Sequence, residues 1–136
     1  MSKINQVKWI KVPKINDPRG NLAVIEKDTI PFPIKRVYYL FDVPSDASRG
    51  GHAHKELIQV LIALSGSFDV IVDDGKNRQR LTLNKPDRAL LIPNNIWREI
   101  ENFSSGAVCL SIVSAEFEES DYIRDFEEFK KYLTTF

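Results

Sequence analysis

The stretch Arg49-Gly50-Gly51-His52-Ala53-His54-Lys55 decides how this chain is interpreted, because it contains both of its histidines. Side chains alternate along a strand, so two imidazoles two positions apart point together into one cavity or together into solvent. Imidazole titrates near physiological pH and also ligates metal ions. The pair therefore indicates either a proton-transfer site or half of a metal site.

Short apolar or alternating runs surround this stretch from Val7 to Ser114, a spacing typical of an all-β sandwich or barrel. β-Branched and aromatic residues dominate the runs, and turn residues separate them. The clearest predicted strands are Val37–Phe41, Leu57–Leu64, Ser67–Val72, Arg80–Leu83, Ala89–Ile92 and Val108–Val113. No internal repeat is visible, which argues against a propeller or a solenoid.

The pattern changes after Glu116, where apolar residues recur at helical spacing. Those residues are Tyr122, Ile123, Phe126, Phe129, Tyr132 and Leu133. We expect one amphipathic helix over about residues 119–133, packed on the barrel or on a partner subunit, and we assign it no chemistry. The sequence thus predicts one domain over residues 1–136: a mainly β barrel over about 7–115, followed by a C-terminal helix.

Charge and cysteine content narrow the class of partner. Nineteen basic residues balance nineteen acidic ones, so no overall field attracts nucleic acid, and a phosphate would need a local arginine cluster. The lone Cys109 lies in an apolar run, where a packed core thiol is expected, and it cannot form an internal disulfide. Neither a signal peptide nor a membrane span is visible. We expect a cytoplasmic protein with a small-molecule partner, no nucleic acid and no membrane.

The positions around the histidine pair resemble the cupin family. Its first motif combines His-x-His with a glutamate and a glycine, and its second contains a proline, a histidine and an asparagine. The matching positions are His52, His54, Gln59 and Gly66 for the first motif, and Pro93, Arg98 and Asn102 for the second. The resemblance implies a cupin barrel, that is, a double-stranded β-helix or jelly roll.

Two departures from the cupin motifs bear on the chemistry. Metal-dependent cupins use the two histidines, the glutamate and the later histidine as ligands. Here Arg98 replaces that histidine, and its permanent cation has no lone pair to donate and would repel a metal ion. Gln59 replaces the glutamate and is a weaker, neutral donor. We therefore expect no metal and no cofactor, which leaves the histidine pair for proton transfer.

A closer resemblance covers nearly the whole chain, which is similar to the small sugar-nucleotide 3,4-ketoisomerases of the WxcM-like family. The blocks that carry it are Asp17–Leu22, Ile34–Tyr39, Arg49–Lys55, Val72–Gly75, Pro93–Glu99 and Asp121–Arg124. The resemblance implies conversion of dTDP-4-dehydro-6-deoxyglucose into its 3-keto isomer through an enediol. It places that reaction in the synthesis of 3-amino-3,6-dideoxyhexoses for O-antigen, lipopolysaccharide or S-layer glycans.

The same resemblance implies roles for individual residues. One imidazole of His52 and His54 carries the carbon-bound proton, and its partner, with Tyr38, serves the sugar oxygens. Which histidine does which stays open. Tyr38 and Tyr39 alternate along a strand, so only one of them faces the cavity, and the resemblance favours Tyr38. The candidate contacts to the diphosphate and the sugar are Arg19, Arg36, Arg49, Gln59 and Arg98.

Assembly and product are less constrained by the sequence. The resemblance implies a homodimer that exchanges N-terminal strands, and Val7–Val12 and Leu22–Ile25 are the candidate segments. Family members with histidine or arginine at the position of Arg98 differ in the galacto or gluco configuration at C4, and Arg98 beside Arg19 leaves the product open. Two other functions stay open as well: a non-catalytic sugar-nucleotide-binding cupin, and a deoxysugar epimerase that uses the same bases on another carbon.

Overall fold

The computed structural model describes residues 3–136, with Gly50 described through its backbone alone. Within that range the strands are β1 (Lys8–Lys11), β2 (Lys14–Ile15), β3 (Leu22–Ala23), β4 (Arg36–Leu40), β5 (Ser48–His54), β6 (Gln59–Ser65), β7 (Phe68–Asp73), β8 (Arg78–Leu83), β9 (Arg88–Ile92), β10 (Trp97–Glu101), β11 (Val108–Val113) and β12 (Tyr122–Ile123). The helix α1 spans Phe126–Leu133, and 3₁₀ turns lie at Ile4–Gln6 and Glu119–Asp121.

Two five-stranded antiparallel sheets form the body of the molecule. One has the strand order β1-β9-β6-β11-β4 and the other has the order β12-β5-β10-β7-β8, while β2 and β3 form a separate hairpin. The order of β4 to β11 is that of a jelly roll, in which consecutive strands switch between the two sheets except for β7 and β8, which form a hairpin within one sheet. The predicted mainly β, cupin-type barrel with a C-terminal helix is confirmed.

The core lies between the two sheets and follows from the period of two along each strand. Leu61 of β6, Val70 of β7 and Leu90 of β9 are fully buried and belong to the main apolar cluster. Phe68 stacks on Phe103 in the same cluster, with 5.4 Å between ring centroids. All six strands predicted from the sequence occur, with ends shifted by up to two residues.

A β-bulge in β5 decides which of its residues face the interior. Along β10, Arg98 pairs with His52 and Ile100 pairs with Arg49, so three steps on β5 oppose two steps on β10. The extra residue lies in the Gly50-Gly51 segment, where small residues allow the backbone to bend. Without it, Arg49 would share a face with Gly51 and Ala53. The bulge turns Arg49 to the same side as His52.

The C-terminal segment differs from the single helix predicted over about 119–133. Helix α1 starts only at Phe126, because the Asp125 side chain caps it by accepting a hydrogen bond from the Glu128 N–H. Tyr122 and Ile123, predicted to be helical, form β12 and pair with His54 and Ala53. The pairing with β5 outweighs the helical periodicity. Within residues 3–136, no helix is long and apolar enough to cross a membrane.

Candidate active site

A cavity of about 350 Å³ opens at one end of the barrel, between the two sheets. Its walls combine aromatic, cationic and hydroxyl side chains over an apolar floor. The residues that line it are Arg36, Tyr38, Leu40, Arg49, His52, Gln59, Leu61, Ile100, Cys109, Ser111, Phe117, Tyr122 and Arg124. Five strands of the jelly roll, namely β4, β5, β6, β10 and β11, and the segment after β11 therefore contribute to one site.

The two histidines form a hydrogen-bonded chain that ends at this cavity. His52 is half-buried and lines the cavity, whereas His54 lies behind it and is 1% exposed. Their Nε2 atoms are 3.1 Å apart, and His54 Nδ1 is 2.9 Å from Asp121 Oδ2. The other carboxylate oxygen of Asp121 accepts a hydrogen bond of 2.7 Å from the Glu56 N–H. Asp121 is thus held by the backbone that follows the histidine strand.

These contacts fix the proton positions in the chain. Burial and the guanidinium groups of Arg98, Arg124 and Arg36 lower the pKa of His54 to about 2, so its ring is neutral near pH 7. The carboxylate of Asp121 can only accept, which places the ring proton of His54 on Nδ1 and its lone pair on Nε2. The proton between the two rings then belongs to His52 Nε2. In neutral His52 the remaining lone pair is on Nδ1.

A second polar chain runs behind the cavity from Arg98. The Arg98 guanidinium is 0% exposed and donates to Gln59 Oε1 at 2.6 Å. It also donates to the carbonyl oxygens of Ile96, at 2.9 Å, and Pro93, at 3.3 Å. Gln59 Nε2 in turn donates to the Tyr38 hydroxyl at 2.9 Å and to Ser111 Oγ at 2.7 Å. The network joins β10, β6, β4 and β11 beneath the cavity wall.

Three arginines at the cavity give it a cationic rim. The Arg36 guanidinium lies 4.5 Å from the ring centroid of Tyr38, and within residues 3–136 its buried Nη1 has no hydrogen-bond partner. Arg124 lies 4.3 Å from the ring centroid of Tyr122 and pairs with Glu119 at 2.9 Å. Arg49 is exposed at the mouth. A buried guanidinium nitrogen without an acceptor is suited to an anionic ligand.

The structure brings most of the sequence-predicted site residues together. His52, Tyr38, Arg36, Arg49 and Gln59 line the cavity, and His54 contacts His52. Tyr38 faces inward and Tyr39 is 59% exposed, which confirms that the two tyrosines alternate as expected.

Two predicted contacts lie elsewhere. Arg98 was predicted as a ligand contact, but it is buried behind the wall and its donors bond to the protein. Arg19, beside the β2–β3 hairpin, is bonded to Asp17 at 2.9 Å and its side chain is 89% exposed. In this chain it does not line the cavity.

Sequence reasoning missed a group of residues contributed by the segment after β11 and by β11 itself. They are Ser111, Phe117, Asp121, Tyr122 and Arg124. The block Asp121–Arg124 was a signal, since it belonged to the family resemblance. The helical pattern concealed its role, because the pairing of β12 with β5 is a long-range contact that local periodicity does not predict.

The donor set does not fit the metal site that cupin proteins often contain. The two positions that would complete it hold Gln59, whose oxygen already accepts from Arg98, and Arg98 itself. Across residues 3–136, no group of three or more His, Cys, Asp or Glu side chains is arranged to hold a metal ion. The residues at these positions therefore do not fit a metal ion.

Comparison with known proteins places the chain among sugar-nucleotide isomerases. The model of the family described as FdtA, WxcM-like, C-terminal, matches residues 5–134. The chain is 47% identical over 127 residues to a TDP-4-oxo-6-deoxy-α-D-glucose-3,4-oxoisomerase from Aneurinibacillus thermoaerophilus, covering 93% of this chain and 91% of the relative.

Solved structures give the same result. A 3,4-ketoisomerase from Helicobacter canadensis superposes with a TM-score of 0.91 at 44% identity, covering 94% of this chain and 97% of that one. A histidine-to-asparagine mutant of the 3,4-ketoisomerase QdtA from Thermoanaerobacterium thermosaccharolyticum was crystallised with TDP-4-keto-6-deoxyglucose. It superposes with a TM-score of 0.94 at 38% identity, covering 98% of this chain and 97% of that one.

Proposed function

Because the chain belongs to the FdtA, WxcM-like family, we propose that it is a sugar-nucleotide 3,4-ketoisomerase. Its substrate is TDP-4-keto-6-deoxyglucose, which is also named dTDP-4-dehydro-6-deoxyglucose. A relative of 47% identity bears the name of this activity, and QdtA was crystallised with this sugar nucleotide. The observation that carries the proposal is the chain from Asp121 through His54 to His52, which ends at a cavity also lined by Tyr38 and by arginines.

The reaction moves a carbonyl group from C4 to C3 of the sugar. A base removes the proton on C3 while an acid protonates O4, which gives a 3,4-enediol. The proton of the O3 hydroxyl is then lost and C4 is protonated, leaving the carbonyl at C3 and a hydroxyl at C4. The atoms balance without any external oxidant or reductant. The site must therefore supply one group for the carbon protons and another for the oxygen protons.

His52 is suited to the carbon protons. It lines the cavity, and its Nε2–H is directed at the neutral His54 ring, so its other nitrogen carries the lone pair of a base. His54 is buried behind it with a strongly lowered pKa and is suited to hold His52 in this tautomer rather than to take a proton itself. In this mechanism His52 removes the C3 proton and protonates C4, while His54 and Asp121 act as positioning residues.

Tyr38 is suited to the oxygen protons. Its hydroxyl lies on the cavity wall and accepts a hydrogen bond from Gln59, so its own proton is available for the sugar. A phenol donor beside a developing enediolate stabilises negative charge on oxygen and can protonate it. The Arg36 guanidinium lies 4.5 Å from the centroid of the Tyr38 ring, so a fixed positive charge lies against the same side chain.

The cationic rim is suited to the diphosphate. Among the described residues the buried Arg36 Nη1 has no hydrogen-bond partner, and Arg49 and Arg124 also line the cavity. Guanidinium groups bind phosphate oxygens through paired, charge-assisted hydrogen bonds. We assign these three arginines to the diphosphate, and Gln59 to the wall beside the sugar.

The decisive experiment is incubation with TDP-4-keto-6-deoxyglucose in deuterated water, followed by NMR. We expect a 3-keto product that carries solvent deuterium at C4, because His52 lines the open cavity and the proton it has taken from C3 exchanges with solvent before C4 is protonated. A parallel run in ordinary water gives the configuration at C4. Unchanged substrate would contradict the isomerase and favour a binding module, whereas deuterium exchange at C5 would favour an epimerase.

A homodimer with exchanged N-terminal strands is the assembly we propose. On the edge strand β4, Val37 and Tyr39 are more than half exposed, as is Phe41 just after it, and this apolar face suits a subunit contact. Within one chain β1 pairs with β9, so an exchange would swap β1 or the β2–β3 hairpin between subunits. Because such an exchange would carry the segment around Arg19 over to the other subunit, Arg19 remains a predicted ligand contact. A light-scattering mass of one chain would contradict the dimer.

The setting of the reaction follows from the proposed substrate. The 3-keto product is the form in which an amino group can be introduced at C3, so we propose a role in making 3-amino-3,6-dideoxyhexoses for O-antigen, lipopolysaccharide or S-layer glycans.

The sole cysteine, Cys109, is a buried free thiol whose pKa is raised to about 12 by burial. A reduced, cytoplasmic setting is consistent with it.

A further inference from the structure

In the described part of the chain, Arg98 is a buried cation whose hydrogen bonds all go to neutral groups. Its guanidinium is 0% exposed and donates to Gln59 and to the carbonyl oxygens of Ile96 and Pro93. Burial lowers its pKa to about 10, so it stays charged near pH 7. An internal cation that contacts no carboxylate is costly to maintain, which indicates that its charge serves a purpose at the neighbouring site.

The charge of Arg98 fixes the orientation of the Gln59 amide. A guanidinium has only donors, so the Gln59 atom 2.6 Å from Arg98 Nη1 is the carbonyl oxygen Oε1. The NH₂ group then points the other way. Its two hydrogens match the two acceptors present, the Tyr38 hydroxyl at 2.9 Å and Ser111 Oγ at 2.7 Å.

The orientation of the amide in turn fixes the two hydroxyls. Each receives a hydrogen bond from Gln59 Nε2, so neither can direct its own proton back to Gln59. Both Tyr38 and Ser111 line the cavity. Their O–H groups are therefore left to donate into the cavity.

We propose that Gln59 is a positioning residue for Tyr38 and Ser111. Because Arg98 holds the Gln59 carbonyl oxygen, the Gln59 NH₂ group donates to both hydroxyls and leaves them as hydrogen-bond donors to the enediolate. The inference rests on the proposed ketoisomerase function and adds Ser111 as a second contact to the reacting oxygens. Preorganised donors of this kind stabilise charge that develops only in the transition state. It also gives a reason for glutamine rather than glutamate at this position of the motif.

Gln59→Glu is the sharpest test, because the two side chains have the same size. One carboxylate oxygen would still accept from Arg98, but the other would accept from Tyr38 and Ser111 and turn both hydroxyl protons away from the cavity. We expect kcat to fall by about 10²-fold or more, with KM and TDP affinity changed by less than about threefold. The matched control is Gln79→Glu on β8, an exposed residue outside the cavity, which should keep the wild-type kcat.

A double-mutant cycle tests whether Gln59 acts by setting the direction of the Tyr38 hydroxyl proton or only by supporting the structure. We expect Tyr38→Phe to lower kcat by roughly 10–100-fold, because it removes one donor to the enediolate. In Gln59→Glu the Tyr38 proton already points away, so adding Tyr38→Phe should lower kcat further by less than about threefold. Tyr39→Phe, the exposed neighbour on β4, is the control and should have no effect. Fully multiplicative losses in the double variant would overturn the proposal.

The outcomes also separate this inference from the proposed function. If the wild-type protein does not isomerise TDP-4-keto-6-deoxyglucose, the ketoisomerase is wrong and this inference falls with it. If the wild type is active and Gln59→Glu keeps its kcat, only the role of Gln59 is wrong. If Gln59→Glu fails to fold, as judged by circular dichroism and thermal unfolding, Tyr38→Phe alone decides, and wild-type turnover in that variant would overturn the proposal.

Discussion

The two ends of the barrel interior are equally buried but have opposite chemistry. At the closed end, Phe68, Leu83 and Phe103 are each 2% exposed or less and pack against one another in an apolar cluster. At the cavity end, Arg98 and Gln59 are also 2% exposed or less, yet both are polar and belong to hydrogen-bond networks. Strand β6 spans the distance, with Gln59 at its start and Phe68 just after its end.

From this difference we expect the closed end to stabilise the fold and the cavity end to determine turnover. Burial of apolar area and close packing stabilise the closed end. At the cavity end, buried polar groups gain little net stability even when they are fully hydrogen-bonded, and apolar replacements of the same shape are often neutral. Substitutions at the closed end should therefore change the free energy of unfolding, and those at the cavity end should change turnover.

The largest effect we expect is loss of turnover in His52→Asn. Asparagine can neither remove nor return a carbon-bound proton, so kcat should fall by roughly 10³-fold or more. TDP affinity and the thermal midpoint should stay close to wild type, because His52 is half-buried at the cavity wall and not in the apolar core. Steady-state kinetics, calorimetric titration with TDP and thermal unfolding check the three quantities. A variant that keeps wild-type kcat would show that another group is the carbon base.

The converse effect is expected for Phe68→Ala at the closed end. Removing a fully buried aromatic ring that stacks on Phe103 should lower the free energy of unfolding by about 3–5 kcal/mol. The kcat of the folded fraction should not change. Phe136→Ala is the control, since that ring is 65% exposed, and denaturant titration measures both variants. If kcat fell with stability unchanged, the division between the two ends would be wrong.

A smaller loss of turnover is expected for Asp121→Asn. The Glu56 N–H already requires an acceptor at 2.7 Å, so the single amide oxygen of asparagine would stay with it and the NH₂ group would face His54. His54 would then carry its proton on Nε2, opposite the Nε2–H of His52, and the pair would lose its alignment. We expect kcat to fall by about 10²-fold with little change in KM.

The control for that variant is Asp125→Asn, four residues along the chain. Asparagine caps a helix as well as aspartate does, so α1 should remain and activity should not change. Equal activity losses in the two variants would mean that the C-terminal segment acts through stability alone.

The buried, neutral His54 should also make stability depend on pH. Its pKa is about 2 in the folded protein and about 6.5 when unfolded, so the unfolded chain binds one more proton between these values. Stability contributed by this residue is therefore present above pH 6.5 and lost as the pH falls below it, by up to about 1.4 kcal/mol per pH unit. Urea titrations from pH 7 to 5 should show this slope, and His54→Asn should remove it. An unchanged slope in the variant would contradict the neutral, buried ring.

The sequence predicted the barrel well because its signals are local. Alternation in runs such as Val108–Val113 gives the strands directly, and the spacing of His52 and His54 places both rings on one face. The start of α1 was placed seven residues too early, since the periodicity of Tyr122 and Ile123 fits a helix and only the contact with β5 makes them a strand.

The site was predicted less completely, because its networks depend on distant contacts. Asp121 reaches His54 across 67 residues, and Tyr38 meets Gln59 across 21. The burial of Arg98 is also a property of the whole barrel. An arginine at a ligand position suggests contact with the ligand, whereas in the structure Arg98 is buried and donates to Gln59.

Exhaustive chelation is the treatment for which we expect the smallest effect, namely no change in kcat. The two positions that would complete a cupin metal site hold Gln59 and Arg98, which bond to each other at 2.6 Å, and a cation there would meet the guanidinium charge. EDTA treatment should leave kcat unchanged. Activity lost on chelation and restored by zinc, iron or manganese would contradict this.

The double replacement Gln59→Glu and Arg98→His sharpens the test, because it rebuilds the metal-binding motif beside His52 and His54. That variant should bind a divalent metal, measured by elemental analysis, where the wild type does not.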